Sequence, residues 1–218
     1  MLNTGNAVVM PWLKEVQGVL EAWYPGEEDG TAVAKVLTGA VDPSGRLPIT
    51  FPTSAAAQPI TSAEEFPGLS DRVRFGTGTD ALDIGYRWYQ AHEVAPLSPF
   101  GFGLAYTSFR LSDSSVQTNG ERLVVRVKVS NTGTQSGADI VQLYVGDPPS
   151  ANEPPRQLRS FTRVALARGN SQVVTLSIPV SSLEAYLRGS FELIPGNYRV
   201  GIGQSSSDLV STDNVALG

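Results

Sequence analysis

Leu123-Val124-Val125-Arg126-Val127-Lys128-Val129-Ser130-Asn131-Thr132-Gly133 is the stretch that decides the fold. Leu123, Val125, Val127 and Val129 alternate with Arg126, Lys128 and Ser130, the period of two that gives a strand one buried and one solvated face. Val141, Leu143 and Val145 repeat the pattern, as do Val174, Leu176 and Ile178, then Tyr198, Val200 and Ile202. Turn chemistry separates these runs at Asn131-Thr132-Gly133, Arg168-Gly169-Asn170 and Pro195-Gly196-Asn197. About seven short strands over roughly a hundred residues predict an antiparallel immunoglobulin or fibronectin III-like sandwich.

Upstream, the pattern and the charge both change. Residues 1–102 hold six Lys/Arg against twelve Asp/Glu, a net −6, whereas residues 103–218 hold ten against nine, a net +1. The first part reads as a fragment of an α/β layer. Pro11 suits a first helical position, and Leu13, Val16, Leu20 and Trp23 follow at helical spacing until Pro25-Gly26. A second helix is expected from residues 29–31 through Val33, Val36 and Leu37 to Gly39. Asp42-Pro43-Ser44-Gly45 predicts a type I turn, and residues 47–51 a strand kept short by Pro48 and Pro52. Residues 53–80 lack periodicity, and residues 82–89 read as a strand. The expected fold class is thus mixed: a partial α/β layer (residues 1–52), an irregular joining segment (53–102), then an all-β sandwich (103–218).

Composition excludes several functions. With no cysteine there is no disulfide framework, thiolate site or cysteine nucleophile. His92 is the only histidine, which rules out multi-histidine metal sites. A net charge of −5 and an isoelectric point near 4.9 oppose a nucleic-acid surface. No apolar run approaches the ~20 residues of a membrane span, and the first five residues carry no signal-peptide pattern. No cofactor is expected.

The candidate site lies at Tyr24, Gly26, Glu27, Glu28 and Asp29. The acidic run reads either as a helix N-terminus, where carboxylates meet the positive dipole end, or as carboxylate chemistry. The first reading is favoured, because a retaining glycosidase sets carboxyl groups ~5–5.5 Å apart on separate elements, not on sequence neighbours. Glu64-Glu65 reads as solvated surface. Gly76-Thr77-Gly78 and Gly201-Ile202-Gly203 lack the βαβ setting of a nucleotide loop. His92 reads as a surface residue. Trp12, Trp23, Tyr24, Trp88 and Tyr89 are either packing anchors or stacking platforms for sugar rings.

Longer motifs carry a resemblance. Trp23-Tyr24-Pro25-Gly26-Glu27-Glu28-Asp29-Gly30-Thr31-Ala32 is followed by Asp42-Pro43-Ser44-Gly45-Arg46-Leu47-Pro48-Ile49-Thr50-Phe51-Pro52. Then come Gly85-Tyr86-Arg87-Trp88-Tyr89, Pro99-Phe100-Gly101-Phe102-Gly103-Leu104-Ala105-Tyr106-Thr107 and Val129-Ser130-Asn131-Thr132-Gly133. Val141-Gln142-Leu143-Tyr144-Val145, Gln157-Leu158-Arg159-Ser160-Phe161, Pro195-Gly196-Asn197-Tyr198 and Gly203-Gln204-Ser205-Ser206 complete the series. In this order they resemble the C-terminal region of glycoside hydrolase family 3 across essentially the whole chain. The resemblance implies a (β/α)8-type barrel, an α/β sandwich domain and a fibronectin III-like domain, in β-glucosidase-like, retaining enzymes. It also implies a barrel aspartate as nucleophile and a glutamate earlier in the α/β domain as acid/base. Neither motif has a counterpart here, so no catalytic residue is carried over. The expected role is non-catalytic support of that barrel and α/β domain, in cis or as a separate chain. A free-standing carbohydrate-binding or adhesion module is the alternative. Unpartnered apolar surface on residues 13–23, a few hundred Å2 at ~25 cal/mol per Å2, adds a drive of several kcal/mol toward association, so self-association, docking on the sandwich or a loosely ordered N-terminal part is expected.

Overall fold

The computed structural model describes residues 1–60, 62–69, 71–74 and 81–218. Gly76-Thr77-Gly78 lies outside them. Among the described residues nine strands carry the architecture: β1 (Phe109–Thr118), β2 (Arg122–Asn131), β3 (Gly137–Gly146), β4 (Gln157–Leu166), β5 (Ser171–Pro179), β6 (Ala185–Leu187), β7 (Ser190–Glu192), β8 (Gly196–Gly203) and β9 (Leu209–Leu217). They form two antiparallel sheets, β1-β2-β5 and β4-β3-β8-β9, with β6-β7 as a separate hairpin. Leu123, Val125, Val127 and Val129 are at most 1% exposed and meet Val141, Leu143, Val145, Val200 and Ile202 in one core. The alternation in these strands therefore buries the face it predicts. No described helix is long and apolar enough to cross a membrane.

One strand departs from the half-solvated pattern. Residues 141–146 of β3 are all buried. Val141, Leu143 and Val145 enter the sandwich core, while Gln142 and Tyr144 are buried at 2% and 0% exposure by chain from the first half. Tyr86 packs edge-on to Tyr144 at 6.0 Å and stacks on Phe100 at 4.7 Å. The Gln142 amide donates to Gly101 O and Gln204 O and accepts from the Tyr144 hydroxyl at 2.6 Å. Gly101 has φ +81°, and a Cβ there would collide with that amide; one at Gly103 would strike Gly45 O. Gly101 is thus required by close approach as well as by backbone angle, and Gly103 by close approach alone.

The first half also differs from several expectations. Helical spacing at Leu13, Val16, Leu20 and Trp23 yields only a 3-10 turn, Leu13–Glu15. Gly18 weakens a helix there, and residues 20–22 pair in parallel with Leu2 instead: Leu2 N donates to Leu20 O and Ala22 N to Leu2 O. The second helix forms as α1 (Asp29–Leu37). Asp42–Gly45 makes no turn, because the Asp42 carboxylate is committed to the Tyr106 and Ala138 amides. Residues 47–51 form no strand, only a bridge from Phe51 to Ser98. The strand expected at 82–89 is replaced by α2 (Tyr86–Ala91). Its Tyr86, Tyr89 and Gln90 have i, i+3, i+4 spacing, which places all three toward neighbouring chain.

Two buried charged pairs brace the sandwich. Asp139, fully buried, meets Arg46 at 2.6 Å, and its other oxygen accepts from Gln204 at 2.6 Å. The amide of Ile140 adds a further bond. Asp147 faces Arg159 at 3.5 Å, where Arg159 is the extra residue of a bulge between β3 and β4. Burial pushes the Asp147 carboxyl above its ordinary 3.8; Arg159 pulls it back only in part, and Glu153 raises it further.

Replacing Arg46 with Met strands a buried carboxylate, so it is expected to destabilise the chain by about 3–5 kcal/mol in denaturant unfolding. Arg46→Lys is expected to lose less. For Asp147 the folded carboxyl binds its proton more tightly than the unfolded one. Its contribution to stability therefore falls as pH rises from about 4 through the folded pKa. Melting curves from pH 4 to 7 should show that decline in the wild type and a flatter profile in Asp147→Asn.

Candidate functional site

Glu21 builds the entry to the candidate loop. One oxygen accepts from the amides of Thr4 and Trp23, and the other from the Thr4 hydroxyl at 2.9 Å. These bonds hold Trp23 at φ +53°, turning the chain out before Pro25. Gly26 adopts φ +75°, which a glycine reaches without steric cost. Tyr24 is 82% exposed, and its hydroxyl overlies Gly5, where a Cβ would collide with it. The loop therefore offers an aromatic ring to solvent from a braced backbone.

The acidic run sits at the N-terminus of α1, as the favoured reading expects. Glu28 is the N-cap and Asp29 the first helical residue, but no side chain makes a capping bond. Their contribution is interaction with the helix dipole alone. Glu27 and Glu28 are exposed. Asp29 is half-buried, and its Oδ1 is enclosed and meets no donor among the described residues.

The other singled-out residues take structural positions. Trp23 tilts against Phe51 at 6.0 Å, and Trp88 packs edge-on to Tyr89 at 5.2 Å. His92 caps α2 at its C-terminal end, stacked on Trp88 at 4.6 Å. Glu65 accepts from the Ser62 amide. Gly201-Ile202-Gly203 lies within β8, paired on both sides. Among the described residues no three His, Cys, Asp or Glu side chains are placed to hold a metal ion.

A cleft of about 510 Å3 opens where residues 48–60, α2 and the start of β4 meet. A hollow of about 40 Å3 lies behind it. Among the described residues, the lining of neither contains an aspartate or glutamate. Reasoning from sequence missed this cleft, because its wall comes from segments as far apart as Asn6 and Leu158; the one legible signal was the aromatic spacing of α2.

Comparison with known proteins agrees with this architecture. Residues 1–106 match the pattern of the glycosyl hydrolase family 3 C-terminal domain, and residues 139–206 that of a fibronectin type III-like domain. A beta-glucosidase of Rhizobium radiobacter is 38% identical over 100% of this chain, which covers 27% of that protein. Thermostable beta-glucosidase B of Acetivibrio thermocellus is 39% identical over 100% of the chain and 29% of its own length. Among solved structures, DesR, a beta-glucosidase from Streptomyces venezuelae in complex with D-glucose, superposes with a TM-score of 0.91 at 34% identity, with 100% of this chain and 28% of that one covered. Beta-glucosidase 3B from Thermotoga neapolitana in complex with glucose gives 0.91 at 35%, covering 100% and 30%. The chain spans less than a third of the length of these relatives. It belongs to glycosyl hydrolase family 3, and the parts of that family it contains are the C-terminal domain and the fibronectin type III-like domain.

Proposed function

We propose that this chain is the non-catalytic support of a β-glucosidase-like enzyme that hydrolyses O-glycosidic bonds by a retaining mechanism. The observation that carries the reading is chemical. Retaining hydrolysis needs a carboxylate nucleophile and a carboxylic acid on opposite sides of one bond, and among the described residues the lining of neither hollow contains a carboxyl group. A second observation supports the partners. None of residues 1–49 is buried, and Val16, Tyr24, Leu37 and Val41 are large apolar side chains open to solvent. Such a surface matches a fragment of α/β layer whose cover is the rest of a longer protein, with barrel and α/β domain in cis or on a separate chain. A second copy of this chain is the competing cover.

In this reading, residues 1–52 complete the α/β domain, residues 53–102 join it, and residues 103–218 form the fibronectin III-like domain. The docking of Gly101 and Arg46 on the sandwich transmits its rigidity to the α/β layer. The loop holding Tyr24, Gly26, Glu27, Glu28 and Asp29 faces the catalytic cleft. Its exposed ring and braced backbone suit a substrate-positioning role.

The purified chain is expected to release no nitrophenol from nitrophenyl β-glucoside above the buffer rate. Mixing it with the N-terminal part of a family 3 relative, truncated at the corresponding point, is expected to restore turnover. Tyr24→Ala in the mixture should lower kcat/KM by about tenfold, roughly 1.4 kcal/mol of transition-state binding, without changing the melting temperature. Turnover by the chain alone, abolished by a substitution within it, would overturn the proposal.

A further inference from the structure

We infer that Arg156 and Arg199 form a binding site for a single oxyanion, a carboxylate or a phosphate, on the outer face of β3 and β8. The register places them. Gly146 pairs with Arg199, and directly opposed residues of an antiparallel pair project from the same face. The Arg156 Cγ lies 3.5 Å from where a Gly146 Cβ would stand, so its stem runs over that glycine on this face. Two arginine side chains therefore leave neighbouring points at the end of β3. Asn214, opposite Arg199 on β9, adds a neutral amide beside them.

The pair has no counter-charge. Arg46 and Arg159, also half-buried at the sandwich, each face a buried carboxylate. Arg156 is half-buried as well, yet among the described residues neither it nor the exposed Arg199 forms an ion pair. The Glu153 carboxylate accepts instead from the Gln157 side-chain amide. Asp213 pairs with Val200 and leaves β9 from the opposite face to Asn214. The Tyr144 hydroxyl stays neutral, because burial pushes its pKa up. Burial and then the neighbouring Arg199 lower the Arg156 pKa, the direction expected of a cation without a partner.

A partly desolvated cation beside a second cation is stabilised by an anion that reaches both. Guanidinium groups take oxyanions through paired N–H donors, which selects carboxylate or phosphate over chloride. Two cations are too few to hold a nucleic-acid backbone, and the net charge of −5 repels one. The ligand class is therefore one small oxyanionic group.

The test is a titration of the whole chain with sodium phosphate and with sodium acetate, read on the arginine Nε–H resonances. Sodium chloride holds the ionic strength constant, so that screening does not mimic binding. Saturable shifts are expected at Arg156 and Arg199, half-complete at roughly 1–10 mM. Arg199→Gln, at an exposed position, should weaken binding about tenfold while leaving the core resonances in place. Arg156→Lys keeps the charge but loses the fork, and should weaken it about threefold. Arg126→Gln, on the other sheet, should change nothing. Repeating the titration in the mixture with the N-terminal part of a relative separates the two sources. Arginine signals already shifted there, and deaf to phosphate, assign the site to a carboxylate of the covering polypeptide; signals that still respond assign it to a free oxyanion. The site is overturned by no saturable shift up to about 50 mM of either anion, far above millimolar affinity. It is equally overturned by undiminished binding in Arg199→Gln, or by shifts centred on Arg110, Arg126 and Lys128 instead. None of these outcomes alters the nitrophenyl glucoside result, so the two proposals fail separately.

Discussion

A carboxylate with no access to water must find its counter-charge within reach, and Asp139 finds it outside its own sandwich. Arg46 lies 93 residues earlier in the chain and makes the contact at 2.6 Å. The desolvation cost of such a pair is high, so the pair persists only with good geometry and saturated lone pairs. Gln204 and the Ile140 amide provide the saturation. This anchoring draws residues 42–46 onto the sheet and sets the path of the Gly101–Gly103 segment beside it. The first half of the chain is thereby fastened to a core that it does not itself contain.

The sandwich was legible in sequence because its strands are buried by their own neighbours. Leu123, Val125, Val127 and Val129 carry their period of two with no outside help, and turn residues mark where they end. Strand β3 was legible only in part. Its inward valines repeat the pattern, but Gln142 and Tyr144 read as the solvated face, and only tertiary structure shows Tyr86, Phe100 and Gly101 covering them. Such cover leaves no periodic trace, since it comes from a glycine-rich segment and a six-residue helix.

The helix expected over residues 13–23 failed for a definite reason. Leu13, Val16, Leu20 and Trp23 satisfy helical spacing, yet residues 20–22 are claimed by a parallel contact with Leu2. Local pattern lost to a long-range pairing, as happens where short segments depend on surroundings more than on propensity. The candidate loop shows the opposite balance. Pro25, Gly26 and the acidic run placed it correctly at a turn leading into α1, because glycine and proline act through the backbone and need no partner. The 510 Å3 cleft stayed invisible for the remaining reason: a concavity belongs to several segments at once, and no single window of residues encodes it.

Double-sided burial of β3 bears on how this module can travel. A sandwich whose middle strand is wrapped on its outer side is not a self-sufficient cassette. Excision at residue 103 would uncover the Tyr144 ring, remove the acceptor at Gly101 O and leave the Asp139 carboxylate without its cation. Any rearrangement that transplants the fibronectin III-like unit into another polypeptide therefore has to bring the stretch from Asp42 to Gly103 along with it.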